Sequence, residues 1–303
     1  MASTRVNGKR LAGLVLRWYA SHGRTLPWRN TRNPYRILIS ETMLQQTQVQ
    51  RVLTRYPEFL RRFPTVRSLA NAPLRDVVII WRGMGYNNRA VRLHRLARQI
   101  MTHHGGRVPD DEETLRSLPG IGKYTAAAIR SSAFRAPVPA VDINVRRVLS
   151  RLFTRMCSVS SLRPEAEVGP IAHALLPRRY AYEWNQALMD LGATVCTART
   201  PRCADCPVSD WCRSMNGMTL PSVRMVQREP SRAGIPNRIY RGRIIEVLRH
   251  VKDRGGITAA AIGCAVYPRF SRRDSAWLDM LLASLHRDGL ISIRRHSRRI
   301  ALR

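Results

Sequence analysis

Three groups of residues in this 303-residue chain have types and spacings that could do chemistry. The first lies between Leu118 and Arg147. There Pro119, Gly120 and Gly122 force a tight turn just ahead of a helix-forming run from Lys123 to Phe134. Backbone N–H groups at such a helix start face outward at the positive end of the dipole, which makes a seat for phosphate. Gly120, Gly122, Lys123 and Thr125 are the candidate contacts. Eight residues after Phe134, past Pro137 and Pro139 that hold the chain extended, Asp142 precedes a second apolar-periodic segment, Val145 to Phe153. It reads as a helix N-cap whose carboxylate the dipole keeps ionised. A phosphate grip followed by one fixed anion suits a protein that holds a nucleic-acid strand and stabilises positive charge on its sugar.

The second group is Glu41, Gln45, Gln46, Thr47 and Gln48, placed by periodicity on a helix opened by Pro34-Tyr35. Each glutamine brings a donor and an acceptor without charge, which reading or replacing a base requires. A merely solvated helix face would draw on Lys, Arg and Glu instead. The third group is Cys196-x6-Cys203-x2-Cys206-x5-Cys212. Zinc would take four such thiolates tetrahedrally and an iron–sulfur cubane would take one per iron, so spacing leaves both open. Four cysteines in so short a run fit a metal site in a reducing compartment better than a disulfide framework. Cys157 and Cys264 have no partner at ligand spacing and read as ordinary buried cysteines.

The elements that must position these groups are mostly helical. Apolar residues recur at helical spacing over 9–22, 34–44, 49–63, 74–82 and 88–104, with the Gly83-Met84-Gly85-Tyr86 turn before the last, and again over 163–176 and 179–193. Short connections between them point to an all-α bundle. A polar, proline-bearing stretch follows, and residues 240–303 read as a separate unit: helices near 244–248, 257–267 and 275–286, then a basic hairpin over 290–302, as in a winged helix. The expected organisation is residues 1–219 as one domain, 220–239 as a linker and 240–303 as a small winged-helix-like α+β domain.

Charge names the partner class. The chain has 52 basic against 20 acidic residues, a formal +32, and residues from 225 onward hold 17 basic and 6 acidic. Such a surface needs an acidic polymer to neutralise it. All but three of the basic residues are arginine, as a GC-rich genome would produce, yet codon bias does not explain the shortage of acids. No apolar run of about 18 residues occurs, and no secretory leader pattern. The expectation is a soluble, cytoplasmic, nucleoid-associated protein, monomeric and without a membrane.

The turn-helix-Asp element resembles the helix-hairpin-helix plus Gly/Pro-Asp element of the endonuclease III superfamily of DNA glycosylases. The resemblance extends over roughly residues 10–215 and is to the adenine-specific branch. It is borne by Arg24-Thr-Leu-Pro-Trp28, Ser40-Glu-Thr-Met-Leu-Gln-Gln-Thr-Gln-Val49, Gly83-Met-Gly-Tyr86, Leu118 to Val148 and Asn185-Gln-Ala-Leu-Met-Asp-Leu-Gly192. It implies a two-lobed all-α fold with a [4Fe-4S] cluster on Cys196, Cys203, Cys206 and Cys212. It further implies excision of a mispaired base, adenine opposite guanine or 8-oxoguanine, from double-stranded DNA. By the same likeness Glu41 is the general acid, Asp142 stabilises the sugar cation, and Tyr124 and Asn144 support them. Gln46 wedges into the base stack, Tyr86 inserts beside the opposite base, and Arg24, Leu26 and Gln186 line the adenine pocket. Bond-breaking chemistry agrees: a departing base needs a proton from a carboxyl protonated near neutral pH, so Glu41 should be buried with a raised pKa. Two features differ from the branch. Ile143 stands where glycine is common, and a winged-helix-like module replaces the usual C-terminal domain. Relatives acting on thymine or uracil opposite guanine, and a catalytically silent iron–sulfur DNA-binding or regulatory protein, are the competing readings.

Overall fold

A computed structural model of the chain describes residues 8–154, 162–215, 229–251, 255–294 and 299–303. Cys157, residues 220–228 of the expected linker and the tip of the C-terminal hairpin, 295–298, lie outside the described residues. The chain divides into two compact units, residues 1–41, 110–117 and 121–225 in one and 42–109, 118–120 and 226–303 in the other. No helix among the described residues is long and apolar enough to cross a membrane.

In the first unit, α1 (Gly8–His22) is amphipathic and turns Leu11, Ala12 and Val15 inward. They meet Val145, Val148 and Leu149 of α9 (Ile143–Phe153), Val168 of α10 (Glu165–Leu175) and Trp184, Ala187 and Leu188 of α11 (Ala181–Asp190). α7 (Glu112–Ser117) packs on α8 (Lys123–Ala133). The stretch expected as one helix over 179–193 is a short 3-10 turn, then α11, then a π-helical turn at Leu191–Val195. Such turns insert an extra residue and re-aim the chain downstream, here the cysteine loop.

In the second unit the periodicities over 49–63, 74–82 and 88–104 become α3 (Val49–Arg62), α5 (Leu74–Ile80) and α6 (Asn88–His103). α4 (Val66–Asn71) intervenes, started by a reciprocal Thr65–Ser68 capping box. At six residues, α4 and α7 are too short to show a period in sequence. Phe59 meets Phe63 and Trp81 edge-on, at 5.1 and 6.0 Å between centroids, in the core of this unit.

Residues 229–303 belong to the same unit. β1 (Ser231–Arg232) and β2 (Ile235–Pro236) form a two-residue hairpin through Ala233 and Gly234, so the described part of the 220–239 stretch has structure of its own. Three helices follow, α12 (Asn237–His250), α13 (Ala259–Val266) and α14 (Ser275–Arg287). β3 (Ile257–Thr258), β4 (Ile291–Ile293) and β5 (Arg299–Leu302) make an antiparallel sheet in the order β3-β5-β4. The helix expected from 257 therefore starts two residues later: Ile257 and Thr258 pair with β5, and the Thr258 hydroxyl caps Ala261 N–H. Cys264 is exposed, contrary to the expectation that it is buried, because it lies on the outer face of α13.

Candidate active site

Asp142 is the N-cap of α9. Its Oδ1 accepts from Val145 N–H at 2.7 Å and its Oδ2 from Asn144 Nδ2 at 2.7 Å. Burial pushes its pKa up, against those two donors and the positive charge of Arg147. Asn144 is itself held, since Arg147 Nη2 donates to its Oδ1 at 2.9 Å. The same buried guanidinium donates to the carbonyls of Gly192 at 2.5 Å and Cys196 at 2.7 Å. Gly192 is required there: a Cβ would lie 2.7 Å from that of Asn144. Ile143, the branch's usual glycine position, is exposed and leaves the cap geometry intact.

Glu41 ends the first unit's share of α2 (Pro34–Leu44). Its Oε2 is buried and has no hydrogen-bond partner, while the Tyr124 hydroxyl bonds the carboxyl. Burial pushes its pKa to about 7; the Tyr124 bond opposes the rise and the nearby charge of Asp142 adds to it. Tyr124 is driven well above its ordinary range by burial and by both carboxylates, so it stays a neutral phenol. One carboxyl that holds a proton at neutral pH thus stands near a second tied down by hydrogen bonds. Burial raises both, but only Asp142 has hydrogen-bond donors on both oxygens and a nearby guanidinium to favour its charged form, and such a difference in environment divides the labour of acid and anion.

A residue that sequence reasoning left without a role organises the adjoining wall. Asp190, with a fully buried side chain, accepts from Arg24 (N, Nε and Nη2, 2.6–2.8 Å) and from Arg29 (Nη1 and Nη2, 2.8 and 2.7 Å). Burial alone would raise its pKa, but the two guanidinium groups pull it below the usual range. Arg29 passes the order on by donating to Gln186 Oε1 at 2.7 Å, and Leu26 is buried in the same loop. The clue was available in sequence: a lone acid in the Asn185–Gly192 stretch and a second arginine just past Trp28.

At the start of α8, Gly120 has φ +87° and Gly122 is the N-cap; the first helical bond runs from Ala126 N–H to Gly122 O. Lys123 is exposed and pairs with Glu165 at 3.0 Å. Thr125 is buried, so its side chain does not face a phosphate and only its backbone N–H suits that expectation.

The four cysteines are each partly buried; burial, with the neighbouring cysteines adding to it, pushes Cys206 up to about 11 and raises Cys212. Arg151 Nη1 lies 3.3 Å from Cys196 Sγ and also holds the Thr197 carbonyl at 2.7 Å. Among the described residues no three metal-binding groups are gathered tightly enough for one ion. Four partly buried cysteines spread along one loop, beside the buried guanidinium of Arg151, fit a multi-iron anionic cluster with one thiolate per iron.

The second unit holds the residues expected to touch the base stack. The helix α2 ends at Leu44, so Gln45, Gln46, Thr47 and Gln48 lie beyond it and not on its face. Gln46 and Tyr86 are both exposed, and both are non-glycine residues in the left-handed region, φ +55° and +42°. That conformation costs energy and persists where surroundings impose it. The buried guanidinium of Arg89 does so, donating to the carbonyls of Thr42, Met43 and Met84 at 2.9 Å and to Thr47 Oγ1 at 2.8 Å. Burial lowers its pKa to about 10. Thr47 in turn donates to Met84 O, so its hydroxyl ties two turns together.

Comparison with known proteins agrees. The model of the HhH-GPD superfamily base excision DNA repair proteins matches residues 39–157, and that of the iron–sulfur binding domain of endonuclease III matches residues 196–212. The chain is 42% identical over 270 residues to an adenine DNA glycosylase of Mycobacterium tuberculosis, covering 89% of this chain and 87% of that one. A solved thermostable thymine-DNA glycosylase superposes with TM-score 0.64 and 31% identity, over 69% of this chain and 96% of that one. An endonuclease III in non-covalent complex with DNA gives 0.60 and 25%, over 68% and 94%.

Proposed function

The chain belongs to the adenine DNA glycosylases of the HhH-GPD superfamily, and we propose that it hydrolyses the N-glycosidic bond of adenine mispaired with guanine or 8-oxoguanine, leaving the strand intact. The observation that supports this most directly is the pairing of Glu41, a buried carboxyl with a pKa of about 7, with the N-cap carboxylate Asp142. The target base leaves the stack to reach them. Glu41 gives its proton to the base, the electron pair of the C1′–N bond departs with it, and Asp142 stabilises the cation left on the sugar. Water adds to C1′ and its proton restores Glu41. Tyr124 holds the Glu41 carboxyl, Asn144 orients Asp142, and Arg24, Leu26 and Gln186 form the wall against the base. Gln46, Thr47, Tyr86 and the Gly120–Thr125 turn grip the duplex.

The chain carries an iron–sulfur cluster on Cys196, Cys203, Cys206 and Cys212. When bound, the cluster ties these four points of the loop into one body. Residues 1–219 are proposed as the glycosylase domain and 240–303, after a linker, as a winged-helix-like DNA-binding domain. The protein is proposed to act as a monomer on the nucleoid.

A second reading, excision of thymine or uracil opposite guanine, is favoured by the likeness to the thymine-DNA glycosylase. Duplexes holding A·G, A·8-oxoG, T·G and U·G separate them, with hot alkali used to reveal abasic sites. Base loss confined to the adenine duplexes supports the proposal; loss from T·G or U·G alone overturns it. Tight binding with no abasic product from any duplex would instead favour a non-catalytic DNA-binding protein.

A further inference from the structure

The face of α9 turned to the cysteine loop carries two buried arginines one helical turn apart, Arg147 and Arg151. Their bonds differ. Arg147 donates to Asn144, Gly192 and the Cys196 carbonyl, and feels the charge of Asp142. Arg151 is given over to the loop. Its Nη1 donates to Thr197 O at 2.7 Å and lies 3.3 Å from Cys196 Sγ, and its Nη2 donates to Ala198 O at 2.9 Å. Its main-chain carbonyl accepts from Ser214 N–H at 3.2 Å and lies 3.4 Å from Cys212 Sγ. One residue thus touches the first and the last of the four cysteines.

A buried cation needs an anion, and the protein offers Arg151 none. Among the described residues no carboxylate pairs with it, and residues 1–7, 155–161 and 216–228 contain no Asp or Glu that could. The neighbouring guanidinium of Arg147 repels it. Carbonyl dipoles offset only part of the cost of taking a guanidinium out of water. The missing anion is at hand once the four cysteines, as thiolates, hold an iron–sulfur cluster. The bonds to Thr197 and Ala198 grip the planar fork, so the positive charge stays against Cys196 Sγ.

From this we infer that Arg151 is the counter-ion of the cluster, a positioning residue whose buried charge raises the cluster's reduction potential and slows loss of its iron. The reduced cluster carries one more negative charge than the oxidised one, so a cation fixed beside a ligand sulfur favours it. The inference rests on the cluster at Cys196, Cys203, Cys206 and Cys212 and stands whichever base is excised.

Purified holoprotein of wild type is compared with Arg151→Gln, Arg151→Lys and Arg199→Gln. Arg199 belongs to the same loop but is exposed, so solvent and salt screen its charge. Protein-film voltammetry reads the potential only in molecules that carry a cluster, and iron release to a chelator is followed alongside. In Arg151→Gln the ratio of reduced to oxidised cluster at a fixed voltage should fall at least tenfold, about 59 mV for a one-electron couple. Its iron should leave at least tenfold faster. Arg151→Lys, which keeps the charge without the fork, should recover most of both effects, and Arg199→Gln should match wild type. An unchanged potential in Arg151→Gln, or an equal shift in Arg199→Gln, overturns the inference. So does Arg151→Lys behaving like Arg151→Gln, because the bonds to Thr197 and Ala198 would then matter and the charge would not. If Arg151→Gln yields no holoprotein, Arg151→Lys decides: a potential and iron retention near wild type support the counter-ion, and loss of either overturns it. If the electrode reaches no couple, the pattern of iron release decides in the same way. Wild-type protein that is colourless and holds zinc would overturn the cluster assignment itself, and is told apart by its metal content.

Discussion

Nη2 of Arg147 donates to Oδ1 of Asn144 at 2.9 Å, and this fixes which face of the amide Asp142 meets. With its oxygen engaged by a guanidinium, the amide must present Nδ2 to the Asp142 carboxylate. Arg147→Gln should therefore lower the excision rate constant by roughly 10- to 100-fold, the usual cost of losing an orienting partner. Duplex affinity should change little, because the side chain is buried. Single-turnover kinetics at saturating enzyme and a binding titration check this; equal loss of both would indicate general unfolding.

The pH profile should be bell-shaped. Glu41 must be protonated to act and its pKa is about 7, so the rate should fall about tenfold per unit once pH is well above that value. Asp142 must be ionised and burial raises its pKa, so the acid limb should lie above the ordinary carboxylate range. The limb near 7 should vanish from the residual activity of Glu41→Gln.

Stability carries the same signature. The folded-state pKa of Glu41 is raised above its unfolded value, so its favourable contribution is complete below pH ~4.3 and is lost as pH rises through 7. Glu41→Gln should be more stable than wild type at pH 8, by up to ~3 kcal/mol, and the difference should shrink toward pH 5. Denaturant unfolding at the two pH values measures it.

Wild-type protein should release the base without cutting the strand. The residue bonded to the Glu41 carboxyl and close to Asp142 is a phenol, which cannot form a Schiff base, and the adjacent amine of Lys123 is paired with Glu165. Borohydride should trap no covalent adduct with wild type and should trap one with Tyr124→Lys, which should also nick some product. Asp142→Asn and Glu41→Gln should each lose excision while keeping duplex affinity.

Asp190→Asn removes one charge from beneath two guanidinium groups and leaves the buried Arg29, with the partly exposed Arg24, without an anion. A loss of about 3–5 kcal/mol in unfolding free energy is expected. Because Arg24 and Arg29 depress the folded-state pKa of Asp190, the wild-type advantage is present above its unfolded pKa, near 3.9, and is lost as pH falls through the lower folded value. The two proteins should therefore converge only in strong acid.

By itself the sequence determined the features that depend on local pattern. Helical periods located α1, α3, α6 and α9, Pro119, Gly120 and Gly122 marked the turn into α8, and the position of Asp142 before an apolar run identified its capping role. Five short stretches were enough to identify the glycosylase superfamily and its adenine branch. Tertiary structure decided everything that depends on long-range pairing. Asp190 is 166 residues from Arg24, and no local period marks such a partner. Whether Thr125 faces outward was likewise undetermined, because the same helix start can be packed or open. The end of α2 at Leu44 was also a tertiary decision: Arg89, 47 residues on, takes the carbonyls of Thr42 and Met43, and the chain beyond turns so that Gln46 adopts φ +55°. A glutamine-rich run has no local signal against continuing as helix; the buried guanidinium provides the reason it does not.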